Sequence, residues 1–359
     1  MKEALAIGLM SGSSLDGIDL VLTRLVDDQG SYRYEILEAE TLPYPAPWQE
    51  RLSNAFHCQP EELKVLDHDY GIYLGQCVRA FIEEHKVHPD FVASHGHTVF
   101  HKPKERYTLQ VGDGQAIADC CSLLTVNDFR SEDVAKGGQG APLVPIGDRL
   151  LFGDYELCLN IGGIANISYE SQEGRIAYDL CIANQALNML AQRDGLAYDR
   201  DGLKARSGKI DESLLKALNS HPFYQQEPPK SLGREFFETY QRSLLEKGDT
   251  ADLLATFTEH VALQIAQAIN SQPQGKLLAT GGGAHNTYLL ERLRHHTKHQ
   301  VIVPDAQTVD YKEALIFALL GMLRLEGKVN VLRSVTGAPT DSSSGKIWHS
   351  NKSFDNNLV

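Results

Sequence analysis

Three times in this chain an apolar strand runs straight into a turn of small residues. Ala6-Ile7-Gly8-Leu9-Met10 leads into Ser11-Gly12-Ser13-Ser14-Leu15-Asp16-Gly17, Glu156 to Ile161 into Gly162-Gly163, and Lys276 to Ala279 into Gly281-Gly282-Gly283-Ala284. Glycine carries no Cβ, so backbone N–H groups can converge on one point, a concave donor set that suits phosphate. One such turn fits a tight hairpin equally well. Three, spread over 359 residues, predict an α/β chain of two similar halves that clamp a nucleotide.

Charge narrows the partners. The formal net charge is −13, which argues against nucleic acid or an anionic membrane. A phosphate site must then be built locally, from backbone donors and a metal. Hydroxyls of Ser11, Ser13 and Ser14 can add to the first turn, and Asp16 offers the oxygen that a phosphate-bound Mg²⁺ needs. No apolar segment approaches the roughly 20 residues that span a bilayer, and no signal-peptide cleavage site follows the first strand. Six cysteines form no Cys-x-x-Cys pair, which speaks against zinc and for reduced thiols in a cytoplasmic protein. The P-loop, His-Glu-x-x-His and Gly-x-Ser-x-Gly patterns are missing, as is Gly-x-Gly-x-x-Gly after the first strand.

Along the chain, 17–41 reads as two strands and Glu61 to His85 as an amphipathic helix. Phe91 to Ser94 is a short buried strand that ends in a polar loop, His95-Gly96-His97-Thr98. The C-terminal edge of such strands is where ligands bind in open α/β sheets. A charged, glycine-rich run from Asp128 to Pro142 predicts a domain crossing that also walls a site. This gives a first domain over 1–130, which the C-terminal tail can join, a second over 131–340, and a polar tail over 341–359 expected to be partly mobile. Asp179 ends an apolar strand before a helix, where an N-cap is the plain alternative to a catalytic role. Glu313 falls in the first turn of a helix over Asp310 to Leu325, a place the helix dipole favours for a carboxylate. Arg130 suits an interdomain salt bridge or a substrate anion. His95 and His97 suit buried hydrogen-bonded histidines or ligand contacts.

Gly8 to Asp19 resembles the opening signature of the anhydro-N-acetylmuramic acid kinases. Ser94 to Thr98, Asp128 to Arg130, Gly137 to Pro145, Asn160 to Asn166, Gly281 to Asn286, Glu313-Ala314 and Val335 to Ala338 extend the resemblance over nearly the whole chain. It implies two actin-like (ribonuclease H-like) α/β domains with an interdomain nucleotide cleft, taking ATP and Mg²⁺. It implies that Gly12, Ser13, Ser14, Leu15, Asp16, Gly17, Ile18 and Asp19 hold the γ-phosphate and metal, with Asp16 toward the metal. Asn160, Gly162 and Gly163 become the second phosphate loop, and Gly281, Gly282 and Gly283 pack on adenosine. His95, His97, Thr98, Arg130 and Glu313 fall to the sugar. The implied reaction opens a 1,6-anhydro sugar with water and phosphorylates O6, in recycling of cell-wall sugars, with Asp179 as the base. Around it the family's Asp-Thr-Gly-Pro-Gly-Asn reads Asp179-Leu180-Cys181-Ile182-Ala183-Asn184, and its His-Gly-Gln-Thr reads His95-Gly96-His97-Thr98. The implied partner is a small amino sugar, with neither nucleic acid nor membrane, and a homodimer is allowed. Two rivals remain from the residues: a related kinase for another sugar, and a nucleotide-binding module without catalysis.

Overall fold

The computed structural model describes residues 2–12 and 15–351, with the side chain of Arg234 left aside. The chain divides into two compact units, Met1–Leu151 with Tyr311–Val359, and Phe152–Asp310.

The first unit opens with β1 (Lys2–Ser11), β2 (Gly17–Asp28) and β3 (Ser31–Pro43), an antiparallel meander. The long helix α1 (Pro60–His85) follows, started by a Gln59–Glu62 capping box. Then come β4 (Phe91–Ser94), β5 (His97–Lys102), β6 (Tyr107–Val111), α2 (Gly114–Cys121) and β7 (Leu124–Asn127). β4 runs parallel to both β1 and β7. One sheet face is covered by α1, where Leu74, Val78 and Phe81 meet Ile7, Leu9, Leu20 and Val92. The loop expected at 95–98 is shorter than predicted: His97 and Thr98 already belong to β5, a hairpin with β6. That pairing buries the polar run by supplying backbone partners, which periodicity cannot report.

The second unit repeats the plan. Its strands are β8 (Leu157–Ile161), β9 (Ile164–Ser171), β10 (Gly174–Ile182), β11 (Lys276–Thr280) and β12 (Gln300–Ile302). Helices α3 (Asn184–Gln192), α4 (Thr250–Asn270) and α5 (Thr287–His296) bury Leu187, Phe257, Val261 and Leu289 with Leu159, Ile167 and Leu180 of the sheet. The order is β10-β9-β8-β11-β12, against β7-β4-β1-β2-β3 in the first unit. Each sheet is thus a three-strand antiparallel meander whose first strand also heads a parallel run of three. The same strand order and directions twice are the ribonuclease H-like arrangement that the resemblance implied.

Helix α6 (Ala306–Leu325) then carries the chain back to the first unit. It presses on β1 at Gly8, where a Cβ would lie 1.9 Å from the Ala314 carbonyl oxygen. Only glycine permits that approach. The helix begins at Ala306, four residues before the expected start, so Glu313 sits on its third turn and the dipole argument for it falls. The stretch expected as a mobile tail is built in up to residue 351. Asn330 holds the backbone of Ser344 from both ends of its amide, and β13 (Lys346–Trp348) pairs antiparallel with β7.

Buried histidines couple this fold to pH. Burial lowers His95 well below its ordinary range, His97 to about 4 and His260 to about 3. His260 donates from Nδ1 to Asn219 Oδ1 at 2.7 Å and accepts at Nε2 from Tyr224, a fully satisfied neutral ring. The unfolded chain binds protons at these rings near pH 6.5 and the folded chain does not, so their contribution falls with pH below that point. The stability advantage of wild type over His260→Gln should shrink by about 1.4 kcal/mol per pH unit below roughly pH 6.5. Denaturant titrations at pH 7, 6 and 5 measure it. A constant difference would contradict a neutral His260.

Candidate active site

Each sheet presents its polar residues at the same place, the C-terminal edge of the parallel strands. In the second unit β8 ends in Asn160 and Ile161 before the Gly162-Gly163 turn, and its parallel neighbour β11 ends at Thr280 before Gly281-Gly282-Gly283. The carbonyls of Gly162 and Gly163 accept from the backbone N–H groups of Asn184 and Ala183, so the turn sits on the start of α3.

The glycines here divide into two kinds. Gly281 has φ +80°, and a Cβ on it would meet Asn160 Oδ1 at 2.4 Å. A Cβ on Gly283 would meet Ile161 Cγ2 at 2.2 Å. Packing explains both. At Gly162, Gly163 and Gly282, by contrast, a Cβ would come no closer than 3.6, 3.8 and 3.7 Å to any atom beyond the adjoining residues, with no positive φ. Neither packing nor a positive φ requires glycine there. Beside them lies a pocket of about 480 Å³, lined by Asn184, Asn188, Tyr198, Asp201, Gly282 and His285 among others. It fits the size of small-molecule sites. Tyr198 and its neighbours to Asp201 were not singled out from the sequence. The Tyr-Asp-Arg-Asp-Gly run is polar and aperiodic, and only its density of polar groups hints at a site.

Asp179 lies inside β10, three residues before its end, at a β-bulge opposite Asn166. The N-cap alternative falls with that, since Ala183 occupies the cap of α3. Its Oδ2 accepts from the Leu232 backbone N–H at 2.8 Å. Burial raises its pKa, and that hydrogen bond offsets part of the rise. A raised carboxylate is better matched to proton abstraction near neutral pH. The residues that depart from the family's motif, Leu180, Cys181, Ile182 and Ala183, are 3%, 0%, 0% and 0% exposed. They belong to the core of the unit and not to its polar surface.

In the first unit, Asp16 is exposed in the turn after β1 and accepts from the Gly17 backbone N–H. Ser13 and Ser14 lie outside the described residues. Ile18 is buried in the core, and Asp19 accepts from Thr41, so from β2 onward this stretch is also sheet. Gly17 is dictated by packing, for a Cβ would lie 2.5 Å from the Leu42 carbonyl oxygen. Ser11 Oγ links to Tyr44 at 2.6 Å and to His97 Nδ1 at 3.2 Å.

His95, Arg130 and Glu313 come together at the edge of the same sheet. His95 follows β4 and Arg130 follows β7, its neighbour. Arg130 donates to the Gly140 carbonyl at 2.7 Å and to His95 Nε2. Burial lowers the arginine to about 10 and raises Glu313, each partly offset by the other's charge. Asp133, fully buried, accepts from the Gly140 N–H and from Thr336 Oγ1 and thereby fixes the glycine loop over 137–140. It was missed from the sequence because it reads as one more charge in a charged run. Beside Glu313, Lys312 pairs with Asp148 at 3.0 Å in the interior. Thr98 is half-buried in β5 and accepts from Gln110 at 3.4 Å.

The family model for anhydro-N-acetylmuramic acid kinase matches residues 4–350. A Vibrio cholerae protein of that name is 36% identical, over 97% of this chain and 99% of its own. One from Gloeobacter violaceus is 37% identical over 94% and 97%, and one from Pasteurella multocida 35% over 98% and 99%. No helix among the described residues is long and apolar enough to cross a membrane.

Proposed function

Because the chain belongs to the anhydro-N-acetylmuramic acid kinase family, we propose that it opens 1,6-anhydro-N-acetylmuramic acid with water and phosphorylates O6. The phosphoryl donor is ATP and the product N-acetylmuramic acid 6-phosphate. The reaction needs three things. A base must take the proton of the water attacking C1. Donors must hold the γ-phosphoryl in line with O6. A receptor must seat the sugar's lactyl carboxylate.

Asp179 supplies the base, and its half-buried carboxyl, raised by desolvation, supports that role. The N–H groups around Gly162, Gly163 and Gly282 receive phosphate and adenosine. The room left at those three glycines is the observation that carries this part. By the family resemblance, the turn after β1 that carries Gly12 and Asp16 receives the γ-phosphate. Mg²⁺ would be held through Asp16, an exposed oxygen donor, and would neutralise charge on the transferring phosphoryl. Arg130 seats the lactyl carboxylate, a planar anion that a guanidinium matches in bidentate fashion, and Glu313 accepts a sugar hydroxyl. We assign the protein to the cytoplasm, where its six free cysteines stay reduced.

ADP release with ATP and a panel of amino sugars tests the reading. Turnover is expected with the anhydro-muramic sugar, and turnover of other sugars alone would overturn it. Asp16→Asn should cost about 10- to 100-fold in metal affinity or activity. A variant with the wild-type Mg²⁺ requirement would remove Asp16 from the metal site.

A further inference from the structure

Arg130 is a half-buried cation with no carboxylate in ion-pair contact. Among the described residues no carboxylate lies within 4.0 Å of it. Its Nε and Nη2 point instead at one atom, His95 Nε2, at 3.0 and 2.9 Å. Its Nη1 donates to the Gly140 carbonyl. Two N–H donors on one imidazole nitrogen require that nitrogen to be a lone-pair acceptor, so the proton of His95 sits on Nδ1 and the ring is neutral. Nδ1 is buried and has no partner.

The ring itself is fixed. The His95 backbone N–H donates to the Leu9 carbonyl, and the imidazole lies against Phe317 with centroids 4.8 Å apart. Phe317 stands one helical turn after Glu313 on α6 and packs also on Phe129, the residue before Arg130. Burial and the neighbouring guanidinium both hold His95 well below its ordinary pKa. The other titratable groups felt here are Glu313, which faces Arg130 from α6, His97 on the same strand edge as His95, and His101 further along β5.

The choice of acceptor matters. An aspartate or glutamate at position 95 would orient Arg130 as well, and would cancel its charge. A neutral imidazole orients it and adds no opposing charge of its own. We propose that His95 is a positioning residue that aims Arg130 without neutralising it, and so makes the sugar site selective for an anionic ligand over the same ring without the carboxylate. This rests on the reading of Arg130 as the lactyl carboxylate receptor.

The test compares 1,6-anhydro-N-acetylmuramic acid with 1,6-anhydro-N-acetylglucosamine, which lacks the lactyl group. Wild type, His95→Gln and His95→Glu are assayed for kcat and KM with each sugar and for KM with ATP, with thermal unfolding as a check on folding. Gln can still accept from Arg130 while staying neutral, so His95→Gln should keep the preference for the anionic sugar. His95→Glu should raise the KM for the anionic sugar about tenfold or more, with kcat for bound sugar and KM for ATP little changed, and should narrow the preference. A Glu variant that keeps the full preference overturns the inference, as does a Gln variant that loses it while remaining folded. If wild type itself shows no preference, the reading of Arg130 fails, and that result is distinct from either.

Discussion

Asp179→Asn should lower kcat by about 10² to 10⁴-fold, the range that a positioned general base contributes. The substitution keeps the shape, and the amide oxygen can still accept from the Leu232 N–H, so folding and ATP affinity should stay near wild type. What is lost is the one capacity the amide lacks, taking a proton from water. The pH profile gives an independent signature. Only the carboxylate form is a base, so kcat/KM should fall as pH drops through the pKa of Asp179. Burial raises that pKa, so the acid limb should stand above the usual carboxylate position near 4. The residual rate of the Asn variant should lack that limb. A variant with near wild-type turnover would take Asp179 out of the mechanism.

The second large effect separates glycines that serve the ligand from glycines that serve the fold. Gly162→Ala should leave thermal stability almost unchanged, since no atom beyond the adjoining residues comes closer than 3.6 Å to the added Cβ. If the methyl takes space meant for phosphate, at least one charge-assisted backbone bond is lost. That costs about 1.5–3 kcal/mol, or roughly 10- to 100-fold in the dissociation constant for ATP. Gly283→Ala should behave the other way. Its Cβ would press on Ile161 at 2.2 Å, and overpacking of this kind destabilises by about 1–3 kcal/mol. Calorimetry for binding and thermal melts for stability separate the two. A Gly162→Ala protein that binds ATP like wild type would return that turn to the hairpin reading.

Much of this was legible in the sequence because strand and turn are local. The apolar runs at 6–10, 91–94, 157–161 and 276–280 and the small residues after them name the strands and the sheet edge without tertiary information. The repeat of strand order between the units was not legible. Register depends on which strands meet, and the two halves share few residues. His97 was read as loop because a strand paired through its backbone needs no apolar alternation. The apolar periodicity sets the start of α6 too late, although Asp305 caps it by accepting from the Thr308 N–H, and with it the position of Glu313. The run 180–183 looked like an altered site, yet all four side chains are core. The sequence shows that a motif has changed, but only packing shows which way the changed residues face.

The central claim is that one protein both admits water at C1 and delivers phosphate to O6. Turnover of 1,6-anhydro-N-acetylmuramic acid with ATP in ¹⁸O-labelled water, followed by mass spectrometry, tests it most directly. The account predicts a 6-phosphate of the opened sugar with one ¹⁸O at C1 and none in the phosphate. A phosphorylated sugar with the anhydro bridge intact, or ADP formed with no phosphosugar, would contradict it.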